Sequence, residues 1–168
     1  GKNILIWLSG GEVLLVHLRM SGRLGVADAA QEQGAFQRLA LCLDSGTQLR
    51  FADLRKFGRM RLVPAAEVAQ LDARLGPEPL AEGFTPEALR KLLGARRGHV
   101  KPLLLDQSFL AGVGNIYADE ALFAAGIHPH RIAASLSEDE VRRLYAALRE
   151  VLSKAIAERR VLRRYAAL

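Results

Sequence analysis

The strongest constraint on how this chain can fold is a change of hydrophobic period near Pro64. Up to that point apolar and polar residues alternate in short runs: Ile4 to Leu8, a Gly10-Gly11 turn, Val13 to Leu18, Leu39 to Leu43, an Asp44-Ser45-Gly46 turn, Leu49 to Ala52, and Arg59 to Val63. Period two broken by glycine turns predicts hairpins of an antiparallel sheet or sandwich. Beyond Pro64 the alternation stops, and Leu75-Gly76-Pro77-Glu78-Pro79-Leu80 has the composition of a joint. Helical spacing follows. Thr85-Pro86 reads as an N-cap with proline at the first helical position, leading into Leu89, Leu92 and Leu93. Ser137 to Glu140 reads as a capping box, after which Val141, Leu144, Tyr145, Leu148, Leu152 and Ile156 repeat for about five turns. The expected class is therefore α+β: a partial β-sandwich at 1–64, a linker at 65–80 and a helical domain at 81–168.

Half of the 168 residues are apolar, enough for a true core. No run has the 18 uninterrupted apolar residues of a membrane span, and the opening Gly1-Lys2-Asn3 does not read as a secretory leader, so neither membrane nor secretion is expected. The single cysteine, Cys42, falls in the alternating run Leu39 to Leu43 and is expected to be buried in a strand. One thiol makes neither a disulfide nor a four-ligand zinc site, which points to a reducing cytoplasm. The net charge of +6 makes a polyanion a plausible partner. Within residues 1–63, nine Lys and Arg face five Asp and Glu, and most of the cations lie between Arg19 and Arg23 and between Arg50 and Arg61. Such blocks beside turns suggest a binding edge.

Three segments carry chemistry. In the stretch from Lys101 to Pro129, the turn Gly112-Val113-Gly114 delivers the chain to Asn115, read as the N-cap of a helix from Ile116 to about Ala125 that stops at Gly126. Two glycines let backbone approach a bulky anion, and the helix N-terminus favours one. An ordinary interhelical turn would use the same residues. In His17-Leu18-Arg19-Met20-Ser21-Gly22-Arg23-Leu24, a strand runs into a turn with Met20 among cations; a Met folded back as filler beside a core histidine suits this segment too. In Asp53-Leu54-Arg55-Lys56-Phe57-Gly58-Arg59, a Phe between Arg residues on a tight loop suits a wedge in a base stack, and equally a cover for the sheet end.

HLRMSGRL, DLRKFGR, LGPEPL and KPLLLDQSFLAGVGNIYADEALFAAGIHP, in this order and spacing, resemble the formamidopyrimidine-DNA glycosylase family over nearly the whole chain, to about Glu158. The resemblance implies base-excision repair of oxidised purines in duplex DNA, with an abasic-site lyase activity, and identifies the last segment with that family's helix-two-turns-helix element. It implies that Met20 fills the space vacated by a flipped nucleotide, Arg55 hydrogen-bonds the orphaned cytosine and Phe57 wedges between base pairs. Lys2, His17 and Asn115 match phosphate-contacting residues, Lys2 in a supporting role to catalysis. Lys101 matches a lysine near the damaged base, and Gly112 and Gly114 form the turn that admits the backbone. The partner would be duplex DNA holding an oxidised purine or an abasic site, bound by a monomer with no membrane involved.

The sequence also departs from that pattern. The family's nucleophile is a terminal proline in a PELPE motif, absent here, so no catalytic residue is assigned and the chain alone is expected not to catalyse. The family's four-cysteine zinc finger has no counterpart, so no cofactor is expected in this chain although zinc is expected in a complete member. The final Arg159 to Tyr165 also diverges. An internal fragment or truncated relative fits these departures. A non-catalytic nucleic-acid-binding module is the alternative, because the same helical element occurs in a ribosomal protein and a topoisomerase subunit.

Overall fold

A computed structural model describes residues 2–158. These form two compact units, one spanning Lys2–Val68 and the other running from Ala69 onward.

The first unit contains six strands, β1 (Ile4–Trp7), β2 (Glu12–His17), β3 (Gly22–Asp28), β4 (Gln37–Cys42), β5 (Thr47–Asp53) and β6 (Arg59–Pro64), in two antiparallel sheets. Their orders are β1-β2-β6 and β3-β5-β4. Each central strand is the most buried of its sheet. In β2 the four residues Val13 to Val16 are all buried, whereas β5 alternates and sends Leu49, Phe51 and Asp53 to its buried side. Leu14, Val16, Leu49 and Phe51 make the core, with Ile4, Ile6, Leu24, Leu41 and Met60 packed around it. Pro64 lacks an N–H but closes the outer strand β6, where a missing ladder donor costs little.

Two expectations need correction here. Strand β3 was not anticipated: its sequence GRLGVAD holds two glycines and exposes Val26, so it shows no clean period, and it exists by pairing Gly22–Asp28 against Asp53–Thr47 of β5. Cys42 is in a strand as expected, but it is exposed. It stands between Leu41 and Leu43, which both pack against the core, so the period of two turns its side chain to the opposite face of the sheet.

Helix α1 (Ala65–Asp72) follows the last strand and runs across the division between the units. Leu75 to Leu80 is then stitched to later residues of the second unit: the Gly76 N–H donates to the Gln107 carbonyl at 2.9 Å and the Ala111 N–H to the Pro77 carbonyl at 3.0 Å. The four remaining helices are α2 (Pro86–Gly94), α3 (Val100–Leu105), α4 (Asn115–Ala125) and α5 (Glu138–Ala157), with a 3₁₀ turn at Ala133–Ser135. Thr85 caps α2 by accepting the Ala88 N–H, and Pro86 begins it. Ser137 and Glu140 complete a reciprocal capping box on α5. Phe109, Leu89, Leu93, Leu104, Leu144 and Leu148 fill the centre of this unit, which α5 lines with its buried Val141, Leu144, Leu148 and Leu152. The divergent Arg159 to Tyr165 lies outside the described residues.

Candidate nucleic-acid interface

In the strand unit, the β2–β3 turn and the β5–β6 turn meet. Met20 is 77 % exposed at the tip of the first, and Phe57 is 54 % exposed on the second. Arg55 joins them: its Nη1 donates to Met20 Sδ at 3.1 Å, and its guanidinium carbon stands 5.0 Å from the Phe57 ring centroid. A thioether, a planar cation and an aromatic ring thus form one projecting cluster. Exposed apolar side chains gathered into one patch with a cation make this cluster a candidate binding surface.

Both turns are held in demanding backbone. Arg19 and Lys56 have φ of 54° and 59°, the left-handed region that side chains other than glycine enter at a cost of about 1 kcal/mol or more. Gly22 and Gly58 are required by close approach. A Cβ on Gly22 would stand 2.4 Å from the Leu18 carbonyl oxygen, and one on Gly58 would stand 2.4 Å from the Phe51 ring. The Gly58 N–H meanwhile donates to Asp53 Oδ2 at 2.7 Å. Sequence reasoning did not single out Asp53 or its partner Ser21, whose hydroxyl donates to Asp53 Oδ1. The available signal was an acid at the head of a run of cations.

At the base of the first turn lies a cationic group. The Arg19 N–H donates to His17 Nδ1 at 3.1 Å, so that nitrogen is the acceptor and Nε2 carries the proton of the neutral ring. Burial holds the His17 pKa below the usual histidine range, with Arg19, Lys2 and Arg59 adding repulsion. Lys2 is lowered as well, by burial first and Arg19 second. Mutually repelling, partly desolvated cations of this kind gain when an anion joins them.

In the helical unit, Gly112 adopts φ 87° and Gly114 is the N-cap residue of α4. Asn115 is thus the first helical residue, a correction to its expected capping role. No side chain caps this helix and its first turn holds no acid. An uncapped N-terminus leaves its opening N–H groups and the positive end of its dipole for an external acceptor. The turn is shaped by Gln107, which the sequence reading did not single out: its Oε1 accepts the Gly112 N–H, and its Nε2 donates to the Leu105 and Val113 carbonyls, each at 3.0 Å. Gly126 ends the helix at φ 68°, as expected. Lys101 on α3 pairs with Asp119, one turn beyond Asn115 on α4, at 2.7 Å. Lys101, the glycine turn and Asn115 thus belong to one substructure, and Met20, Arg55 and Phe57 to another.

Among the described residues no three His, Cys, Asp or Glu side chains are grouped to hold a metal.

Both units contain a segment that matches a domain of a known family. Residues 1–60 match the formamidopyrimidine-DNA glycosylase N-terminal domain, and residues 75–165 match the formamidopyrimidine-DNA glycosylase H2TH domain. A formamidopyrimidine-DNA glycosylase of Desulforamulus reducens is 50 % identical over 95 % of this chain and 58 % of its own length. One from a Roseiflexus species is 52 % identical over 92 % of this chain and 57 % of its own. The chain thus spans a little under three fifths of the length of these relatives. Among solved structures, the Lactococcus lactis Fpg bound to an abasic site containing DNA superposes with a TM-score of 0.86 at 34 % identity, covering 94 % of this chain and 58 % of that one. A MutM bound to carbocyclic 8-oxo-G containing DNA gives 0.85 at 36 % identity, covering 94 % and 60 %. With its H2TH domain match spanning more than half of its residues, two turns joined through Arg55 and an open, glycine-presented helix N-terminus, this chain belongs to the formamidopyrimidine-DNA glycosylase family.

Proposed function

We propose that this chain supplies the DNA-holding and lesion-probing part of a base-excision repair enzyme, a DNA glycosylase with abasic-site lyase activity that excises oxidised purines such as 8-oxoguanine and formamidopyrimidines from duplex DNA. The observation that carries this reading is the joined, exposed cluster of Met20, Arg55 and Phe57. Extruding a nucleotide costs a few kcal/mol of stacking and pairing, so side chains that occupy the hole recover part of that cost. In this reading the Phe57 ring wedges between base pairs and Met20 fills the vacancy. The Arg55 guanidinium donates to the acceptors on the pairing edge of the orphaned cytosine, which its planar fork suits. Lys2, His17 and Asn115, with the backbone at Gly112 and Gly114, take the phosphates, and Lys101 stands near the damaged base. Phosphate contacts set salt-dependent affinity, whereas the cluster sets selectivity for the lesion.

No residue of this chain is assigned the nucleophile, and alone it is proposed to bind without cleaving. A borohydride-trapped adduct between these 168 residues and damaged DNA would overturn that assignment. A monomer on DNA in the cytoplasm belongs to the same reading. It is supported by a single cysteine, and among the described residues no helix is long and apolar enough to cross a membrane.

The test is fluorescence anisotropy on two duplexes at one salt concentration, one intact and one with a stable abasic analogue opposite cytosine. Tighter binding to the gapped duplex, lost in Arg55→Ala, is expected. Equal binding to both would overturn the reading in favour of a general nucleic-acid binder.

A further inference from the structure

Asp53 ends the inward-facing row Leu49, Phe51, Asp53 of β5, where the pattern of the strand would place an apolar side chain. It is 1 % exposed, and among the described residues it is the one buried polar or charged side chain. Burying an unpaired carboxylate would be severely unfavourable, so the interest lies in its partners. Three donors from two different turns converge on its two oxygens. The Ser21 hydroxyl and the Arg55 N–H reach Oδ1, and the Gly58 N–H reaches Oδ2. The Arg55 N–H also reaches Ser21 Oγ at 3.2 Å, closing a three-membered link across the turns. The main chain of Asp53 is fixed too: its N–H donates to the Phe36 carbonyl, and its carbonyl accepts Arg38 Nε, both at 2.9 Å.

Met20 precedes Ser21, and Phe57 precedes Gly58, so the residues tied to the carboxylate are neighbours of the residues that project. Each turn also carries a left-handed residue, Arg19 or Lys56, a conformation that persists only where surrounding bonds over-determine it. Only an ionised carboxylate can accept all three donors, since an amide in its place has one accepting oxygen. The hydroxyl of Ser21, foremost, and the Gly58 N–H hold its pKa below the ordinary range, so it is ionised at neutral pH.

We infer that Asp53 is a positioning residue: a buried post that locks the Met20 turn and the Arg55–Phe57 turn to each other, so that their three side chains enter a duplex at a fixed spacing as one body. The inference rests on the lesion-probing reading for its consequence on DNA, but the mechanical coupling can be measured without DNA.

The experiment uses the 168-residue chain with Asp53→Asn and, as a milder change, Ser21→Ala. Each is measured by anisotropy on the intact and abasic-analogue duplexes, and by site-resolved amide hydrogen exchange in the absence of DNA. Losing hydrogen bonds to a charged group should reduce the preference for the gapped duplex by about ten-fold in Asp53→Asn and about three-fold in Ser21→Ala, with intact-duplex affinity held within about two-fold. Exchange should quicken at Arg55 and Gly58 and also across the link, at Gly22 in the Met20 turn. A merely structural role would weaken both duplexes alike, and that result overturns the inference. So does a retained gap preference, or an exchange increase confined to the 55–58 side. If Asp53→Asn does not fold, Ser21→Ala decides by the same criteria. A wild-type chain that ignores the gap sinks the lesion-probing reading, and the exchange pattern then upholds or overturns the coupling through Asp53 by itself.

Discussion

Phe57 is held in water by its neighbour. Gly58 lets the chain turn back tightly over the Phe51 ring, and a Cβ there would overlap that ring at 2.4 Å. The two adjacent positions should therefore fail in different ways. Phe57→Ala removes an exposed ring that the fold does not use; at about 1–3 kcal/mol for one base–aromatic stack, it should cost about five-fold or more in affinity for the gapped duplex. Its thermal midpoint and intact-duplex affinity should barely move. Gly58→Ala forces the turn off Phe51 and should destabilise the strand unit by about 1–3 kcal/mol, as overpacking does, seen as a lower unfolding midpoint by circular dichroism. If Phe57→Ala lowered the midpoint as much as Gly58→Ala, the ring would be covering the sheet end and would not be available as a wedge.

At the scale of elements, α4 is positioned by its entry turn. Gly112 is in the left-handed region at φ 87°, and Gln107 ties that turn to α3 through three hydrogen bonds. Gly112→Ala should cost about 1–2 kcal/mol from the backbone alone and tilt the opening N–H groups of the helix. Because those groups are assigned to a phosphate, affinity should fall on intact and gapped duplexes alike, leaving their ratio unchanged, the opposite signature to Phe57→Ala. A changed ratio would move the glycine turn from backbone holding to lesion probing. Elements like α2, α4 and α5 were legible in the sequence because their stop and start signals are local: Thr85, Ser137 and Gly126 act on the nearest turn. Strand β3 was not legible because its existence depends on β5, some twenty-five residues away in register. Asn115 was placed one residue too early in its helix for a related reason: Asn is a good cap in isolation, but Gln107 sets the turn so that Gly114 takes the capping position. The candidate site was legible residue by residue, since Met20, Arg55 and Phe57 stand out as exposed types in cationic turns. What joins them, Asp53 and Ser21, was not, because a buried acid and a serine look unremarkable until three-dimensional donors are known.

For the molecule as a whole, the charge of +6 assumes neutral histidines, and His17 gives that assumption a physical consequence. Its pKa is depressed by burial, Arg19, Lys2 and Arg59, and that of Lys2 by burial and Arg19, so each binds protons more weakly in the free folded chain than it would in water. For stability the sign is fixed. The unfolded chain holds more protons at His17 than the folded one between the depressed folded value and the ordinary histidine value, so that share of stability is present above the ordinary value and lost as pH falls below it. Asp53, also depressed, keeps its share until pH falls through the carboxylate range. Binding should run the other way. A phosphate set against His17 and Lys2 raises both pKa values, so the complex takes up protons and affinity increases as pH falls. Between pH 7.5 and 6, midpoints of thermal unfolding should therefore drop while anisotropy reports tighter binding to either duplex, at constant ionic strength. His17→Gln, which keeps a side-chain donor but cannot titrate, should flatten both trends together. An affinity that falls with acidification along with stability would mean that no phosphate meets His17, and the cationic group at the foot of the first turn would lose its assigned role.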